Sequence, residues 1–157
     1  MSQQDAWNAD VARGIILEKK DIPGPLLPIL HALQEQFGYI DREAEPLIAK
    51  ILNISRAEVH GVVTFYHDFR EAPAGRHVLK LCRAEACQSR GGDALAARAE
   101  GRLGTAMGTT TPDGSVTLEP VYCLGLCALA PSAMLDGRVV ARLDNTALDT
   151  LLAEAQR

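Results

Sequence analysis

The sequence predicts a mixed α/β chain in two parts: a helical bundle over residues 1–72, and a sheet with flanking helices over 76–157. Three observations predict it. Apolar residues recur at helical spacing through roughly the first 70 residues. A Pro/Gly stretch, EAPAGR at 71–76, then interrupts the pattern. After it, short apolar runs separated by turn signals read in the order β-α-β-β-β-α, which is that of an α/β or α+β sandwich.

Residues 6–20 read as a weakly patterned helix, ended by Pro23-Gly24-Pro25. Leu26, Leu27, Leu30, Leu33 and Phe37 carry a second helix that Gly38 stops. Pro28 fits there only in the first turn, where no intrahelical N–H bond is needed. A third helix, starting near Asp41, runs through Leu47, Ile48, Ile51 and Leu52. The fourth opens on Ser55-Arg56-Ala57-Glu58, a capping box in which Ser55 and Glu58 satisfy each other's amides. Val59, Val62, Val63 and Tyr66 form its apolar face.

In the second part, His77–Cys82 reads as a strand and Gly91-Gly92-Asp93 opens a helix through Leu95, Ala99 and Leu103. Thr111-Pro112-Asp113-Gly114 is a turn signal, followed by a strand in which Val116 and Leu118 alternate. Asp136-Gly137 between the apolar runs 133–135 and 139–143 predicts a hairpin. A last helix begins near Asp144 and presents Leu148, Leu151 and Leu152 on one side.

Composition narrows the function. A net charge of -4 with both signs interspersed offers no basic face, so nucleic acid is not expected as a partner. No apolar run is long enough to insert in a membrane, and MSQQDAWNADVARG lacks the basic start and apolar core of a secretion signal. The expected location is cytoplasmic, where disulfides are rare. No nucleophile–base pair, phosphate-binding glycine loop or catalytic carboxylate pair is present, so no NAD, flavin or substrate site is expected on the chain itself.

The chemistry lies in four cysteines, arranged as Cys82-x4-Cys87, 35 residues, and Cys123-x3-Cys127. Both pairs begin where a predicted strand runs into a loop, so one end of the sheet can bring them together. A [2Fe–2S] cluster takes four thiolates, two per iron, and loops wider than C-x2-C suit two separated irons. Structural zinc also accepts such pairs, and two disulfides stay open; a thioredoxin-type dithiol needs C-x-x-C, which neither pair has. Spacing alone favours the cluster. With four thiolates, two sulfides and two ferric ions it carries a charge of about -2, which calls for backbone N–H donors and cations. Gly125 allows close backbone approach, and Arg83 and Arg90 flank the first pair.

The segments SRAEVHGVVTFYHDFR (55–70), C-x4-C, TTPDGSVTLEPVYCLGLC and Ala130-Pro131 resemble the small thioredoxin-like [2Fe–2S] ferredoxin subunit of the NADH dehydrogenase family. The resemblance runs from about residue 24 to 143. That family includes subunits of respiratory complex I, of NAD-reducing hydrogenases, and the γ subunit of cytosolic, molybdenum-containing, NAD-dependent formate dehydrogenases. The resemblance implies a helical bundle followed by a thioredoxin-like domain, and one [2Fe–2S] cluster on Cys82, Cys87, Cys123 and Cys127. It also implies two partners: a flavoprotein subunit that binds FMN and NAD(H), and a molybdenum-containing catalytic subunit. CRAEAC and CLGLCALAP, with Ala84 and Leu126, depart from the complex I pattern and look closer to the formate dehydrogenase γ subunit.

Other residues have plainer readings. His60 and His67, on one face of the fourth helix, are expected to pack and hydrogen-bond rather than bind metal, and Phe65-Tyr66-His67 to pack in a core or interface. Glu85 points into the cluster loop or to solvent, Pro131 precedes a strand as a cis-proline can, and Trp7 is a docking anchor or a core residue.

Overall fold

The first helix is started by Asn8, whose carboxamide oxygen accepts from the Asp10 and Val11 amides at 3.0 and 3.2 Å. In the computed structural model, which describes residues 6–157, this helix, α1, spans Ala9–Lys19. Residues 1–5 of the stretch read as lacking a secretion signal lie outside the described residues. The chain divides into two compact units, one ending at Pro73 and the other beginning at Ala74.

In the first unit, α2 (Leu26–Phe37) places Pro28 in its first turn and ends on Gly38 at φ 82°, a left-handed cap. The third helix, α3 (Ala44–Leu52), starts three residues after Asp41. Asp41 instead makes the turn into it, accepting from the Glu43 amide on its carboxylate at 2.8 Å and from the Ala44 amide on its carbonyl at 2.9 Å. The capping box of α4 (Arg56–Phe65) is complete, with Glu58 N–H to Ser55 Oγ at 3.1 Å and Ser55 N–H to Glu58 Oε2 at 2.8 Å. This helix ends earlier than its apolar spacing suggests. Tyr66 turns to φ -90°, ψ 107°, so Tyr66 and His67 lie beyond the helix, and Phe65 and Tyr66 are exposed rather than core.

Ile16, Ile29, Leu30, Leu33, Phe37, Ile48, Val59 and Val63 form the core of this unit. Each large aliphatic side chain so buried contributes roughly 1.5–3 kcal/mol. Trp7 precedes α1, packs on Phe37 with ring centroids 5.1 Å apart, and donates from Nε1 to Glu43 at 2.9 Å. His60 holds the buried Glu45 of α3 at 2.8 Å, beside Arg56 at 2.9 Å. Burial raises the Glu45 carboxyl, but bonds to His60 and Arg56 outweigh this and hold it below the usual carboxylate range.

The second unit is a five-stranded sheet of order β2-β3-β1-β4-β5 with helices α6 and α7 packed against β1 and each other. The strands are β1 (His77–Cys82), β2 (Thr109–Thr110), β3 (Val116–Val121), β4 (Ala133–Leu135) and β5 (Arg138–Val140). A short helix α5 (Glu85–Gln88) precedes α6 (Gly92–Leu103), and α7 (Asn145–Ala155) is capped by Asp144. The expected order is present with three additions, α5, β2 and a 3-10 turn over Cys127–Leu129, each too short to show a period. Strands β1 and β3 are parallel, with Cys82 opposite Val121; all other pairings are antiparallel.

Leu79 pairs with Leu118 on one side and Leu135 on the other, laying one apolar row across the sheet beneath Leu95, Ala99, Leu148 and Leu152. Alternation along β3 is incomplete because Thr117 is also buried. Its hydroxyl accepts from the Gly75 amide at 2.7 Å and meets Thr110 Oγ1 at 2.7 Å. Asp136 and Gly137, at φ 49° and 85°, make the positive-φ hairpin turn that Asp-Gly predicts. The Asp136 carboxylate also accepts from the Val78 amide at 2.8 Å, fastening the hairpin to β1.

Candidate metal centre

Parallel pairing of β1 and β3 decides where the cysteines meet. The two strands end side by side, so the loop after Cys82 and the loop carrying Cys123 leave the sheet at the same edge. Arg83 N–H donates to Val121 C=O at 2.8 Å and carries that alignment one residue further. None of the four cysteines is joined in a disulfide in this structure.

Cys87 sits on α5, whose turn follows directly from Cys82. Cys82 and Cys87 are buried, whereas Cys123 and Cys127 are exposed. The thiols come as two close pairs. Cys82 and Cys87 are in hydrogen-bonding contact, and Cys123 Sγ lies 3.4 Å from Cys127 Sγ. Among the described residues, no group of three or more His, Cys, Asp or Glu side chains is already gathered around one point. The four thiols thus lie as two close pairs on adjoining loops.

The backbone supplies the expected amides. Cys123 adopts φ 104°, a conformation that costs a non-glycine residue about 1–3 kcal/mol. The amides of Cys123, Leu124 and Ala84 are directed at Cys82 Sγ. Gly125, at φ 77°, donates its N–H to Cys123 Sγ at 3.3 Å. Burial raises the Cys82 thiol, but the Ala84 amide, the Cys87 thiol and the Cys123 and Leu124 amides outweigh it and bring it below its ordinary value. Burial and the Cys82 thiol push Cys87 up, opposed by Ser132. The neighbouring Cys123 thiol pushes Cys127 up in the same way.

Ser132 is the residue that sequence reasoning missed. Its hydroxyl lies 3.7 Å from Cys87 Sγ, and its carbonyl accepts from the Cys82 amide at 3.1 Å. The available signal was its place after Pro131, at the entry of a strand that pairs with β1. The Ala130–Pro131 peptide is cis, as its position before a strand suggested. Of the flanking arginines, Arg90 is exposed, while Arg83 pairs with Asp93 at 3.0 Å. Glu85 is exposed to solvent.

The model of the thioredoxin-like [2Fe–2S] ferredoxin family matches residues 12–156. The chain belongs to that family. Its cofactor is a [2Fe–2S] cluster, its class of function is electron transfer, and its fold is the thioredoxin-like one.

Among similar proteins, a subunit of the NADH-quinone oxidoreductase of Pseudomonas aeruginosa is 38% identical over 107 residues, covering 68% of this chain and 64% of that protein. The same-named protein of Escherichia coli is 37% identical over 123 residues, covering 78% and 74%. HndA, from the NADP-reducing hydrogenase of Solidesulfovibrio fructosivorans, is 33% identical over 131 residues, covering 83% and 77%. A chain of an NAD+-reducing [NiFe]-hydrogenase, crystallised in the air-oxidised state, superposes with a TM-score of 0.72 at 25% identity. That likeness covers 88% of this chain but only 24% of the hydrogenase chain. This chain thus spans under two thirds of the Pseudomonas relative and about a quarter of the hydrogenase chain.

Proposed function

We propose that the chain is an electron-transfer subunit that holds one [2Fe–2S] cluster on Cys82, Cys87, Cys123 and Cys127. In this reading it exchanges single electrons with the FMN of a partner NAD(H)-binding subunit in the cytoplasm. The observation that carries the ligand assignment is the meeting of two free thiol pairs at the shared end of β1 and β3. When bound, the cluster supplies a one-electron couple whose potential responds to hydrogen bonds, charge and exposure.

The chain's own residues divide the remaining work. Cys82 and Cys87, buried and backed by Ser132, anchor the inner side; Cys123 and Cys127 form the side open to the surface. Amides of Ala84, Leu124 and Gly125 direct partial positive charge at the thiolate sulfurs, which stabilises negative charge there and fixes the loop geometry. The exposed edge is the one from which an electron partner gains its shortest approach. Among the described residues no helix is long and apolar enough to cross a membrane, which fits a subunit held by partner proteins.

For the parent complex we propose an NAD-dependent formate dehydrogenase with a molybdenum-containing catalytic subunit, on the strength of CRAEAC and CLGLCALAP. A second reading, a subunit of an NADH-quinone oxidoreductase or of a hydrogenase, is favoured by the names of the similar proteins. Two measurements test these readings. Anaerobically purified protein is expected to contain about two irons and two labile sulfides per chain, with a paramagnetic signal only after reduction; one zinc and no sulfide would refute the cluster assignment. Copurification then separates the complexes: a molybdenum protein supports the first, membrane or nickel-containing proteins the second.

A further inference from the structure

The Arg83 side chain is held in a way that its protein neighbours explain only in part. Its backbone is pinned on both sides, with its N–H on Val121 C=O at 2.8 Å and its C=O accepting from Gln88 Nε2 at 3.1 Å. The guanidinium makes one ion pair: Nη2 meets Asp93 Oδ1 at 3.0 Å, in the first turn of α6. Its Nε is buried and has no hydrogen-bond partner, alone in this among the buried side-chain nitrogens and oxygens of the described residues. A buried donor left unpaired costs roughly 1–3 kcal/mol, and more when charged. The side chain has solvent within reach of its length, yet the fold keeps Nε inside, one residue from Cys82.

An anionic cluster held by the neighbouring Cys82 would supply the missing acceptor. Charge of about -2 in the oxidised state and -3 in the reduced state, spread over sulfur atoms, provides an acceptor that gains most from a fixed cation in the more negative state. Resting on the cluster assignment above, we infer that Arg83 is a positioning and tuning residue: its Nε–H is reserved for a sulfur of the bound cluster, and Asp93 holds the guanidinium in place. Arg90, exposed and on the same loop, has no such constraint and is the internal control.

The test compares Arg83→Gln, Arg83→Lys and Arg90→Gln with the parent chain, with and without the cluster. In a redox titration followed by paramagnetic resonance, Arg83→Gln lowers the reduced-to-oxidised ratio at a set potential about tenfold, a midpoint fall of about 59 mV for a one-electron couple. Arg83→Lys, which keeps the charge, falls less, and Arg90→Gln stays at the parent value. Without the cluster, Arg83→Gln is as stable to denaturant as the parent, because the lost pair with the exposed Asp93 is worth little and an unpaired buried donor has been removed. With it, the variant loses iron to a chelator several-fold faster.

Equal midpoints and equal iron retention in Arg83→Gln and the parent overturn the inference. So does a cluster-free Arg83→Gln that is less stable than the parent, which marks a purely structural pairing with Asp93. Should Arg83→Gln bind no cluster at all, the cluster-free comparison and Arg83→Lys still decide. A parent chain that binds no iron and sulfide refutes the cluster assignment instead, so the two failures are distinguishable.

Discussion

At the scale of single residues, the centre depends on positions whose backbone is as constrained as their side chains. Cys123 combines a thiol with φ 104°. Serine has nearly the same size and tolerates the same backbone, but its hydroxyl is a poor ligand for iron. Cys123→Ser is therefore expected to leave the fold intact and to remove most of the iron and visible absorbance; an unchanged spectrum would displace Cys123 from the ligand set. Gly92 gives a sharper steric test. A Cβ there would lie 2.7 Å from Cys87 O and 2.9 Å from Cys87 C, both backbone atoms that cannot swing aside. Gly92→Ala should push the Cys87 turn outward, lowering cluster-free stability by about 1–3 kcal/mol and speeding iron loss, as read by denaturant unfolding and chelator challenge. Parent-like values in both would show that the turn yields freely.

Residue identity at the centre was legible because ligand chemistry restricts it: four thiols in two pairs are visible in any linear reading. The conformation was not. Nothing local to Cys123 announces a positive φ, which arises because the loop must turn its amides back toward Cys82. Ser132 escaped for a similar reason, since its closeness to Cys87 depends on β4 pairing with β1.

Among the elements, those set by local chemistry agree with their sequence signals, and those set by tertiary contacts do not. The capping box, the Gly38 stop and the Asp-Gly turn each rest on groups within a few residues. In contrast, α5 is held between Cys82 and α6, and α4 stops at Phe65 although apolar spacing continues to Tyr66. The turn before β3 supports a prediction of its own. Asp113 accepts from the hydroxyls of Thr111 and Ser115 and from the Ser115 amide at 2.6–3.0 Å. The Thr111 hydroxyl, with Ser115, lowers its carboxyl from 3.8 to about 2. The folded form thus binds its proton less readily than the unfolded chain. The resulting stability is complete above about pH 4 and is lost as pH falls toward 2. Denaturant unfolding of the cluster-free chain should show this slope between pH 4 and 2, and Asp113→Asn should flatten it. An identical slope in the variant would assign the acid sensitivity to other carboxylates.

At the scale of the whole molecule, the two units carry different chemistry. All four cysteines, Ser132, Arg83 and every strand among the described residues lie from Ala74 onward, in a unit with its own continuous core from Leu79 to Ala155. The unit ending at Pro73 has a separate core, and its described residues include no cysteine. We therefore propose that the second unit is sufficient for the cluster and that the helical bundle serves docking. A core of this extent can fold as an independent domain. A chain beginning at Ala74 is expected to fold and, on anaerobic reconstitution, to take up about two irons and two sulfides with the spectrum of the full-length protein. The same chain should fail to copurify with the flavoprotein partner. Unfolded protein, or folded protein that cannot retain iron, would make the helical bundle part of the cluster site. Undiminished copurification would move docking to the exposed edge around Cys123 and Cys127, where the proposed electron exchange already requires a close approach.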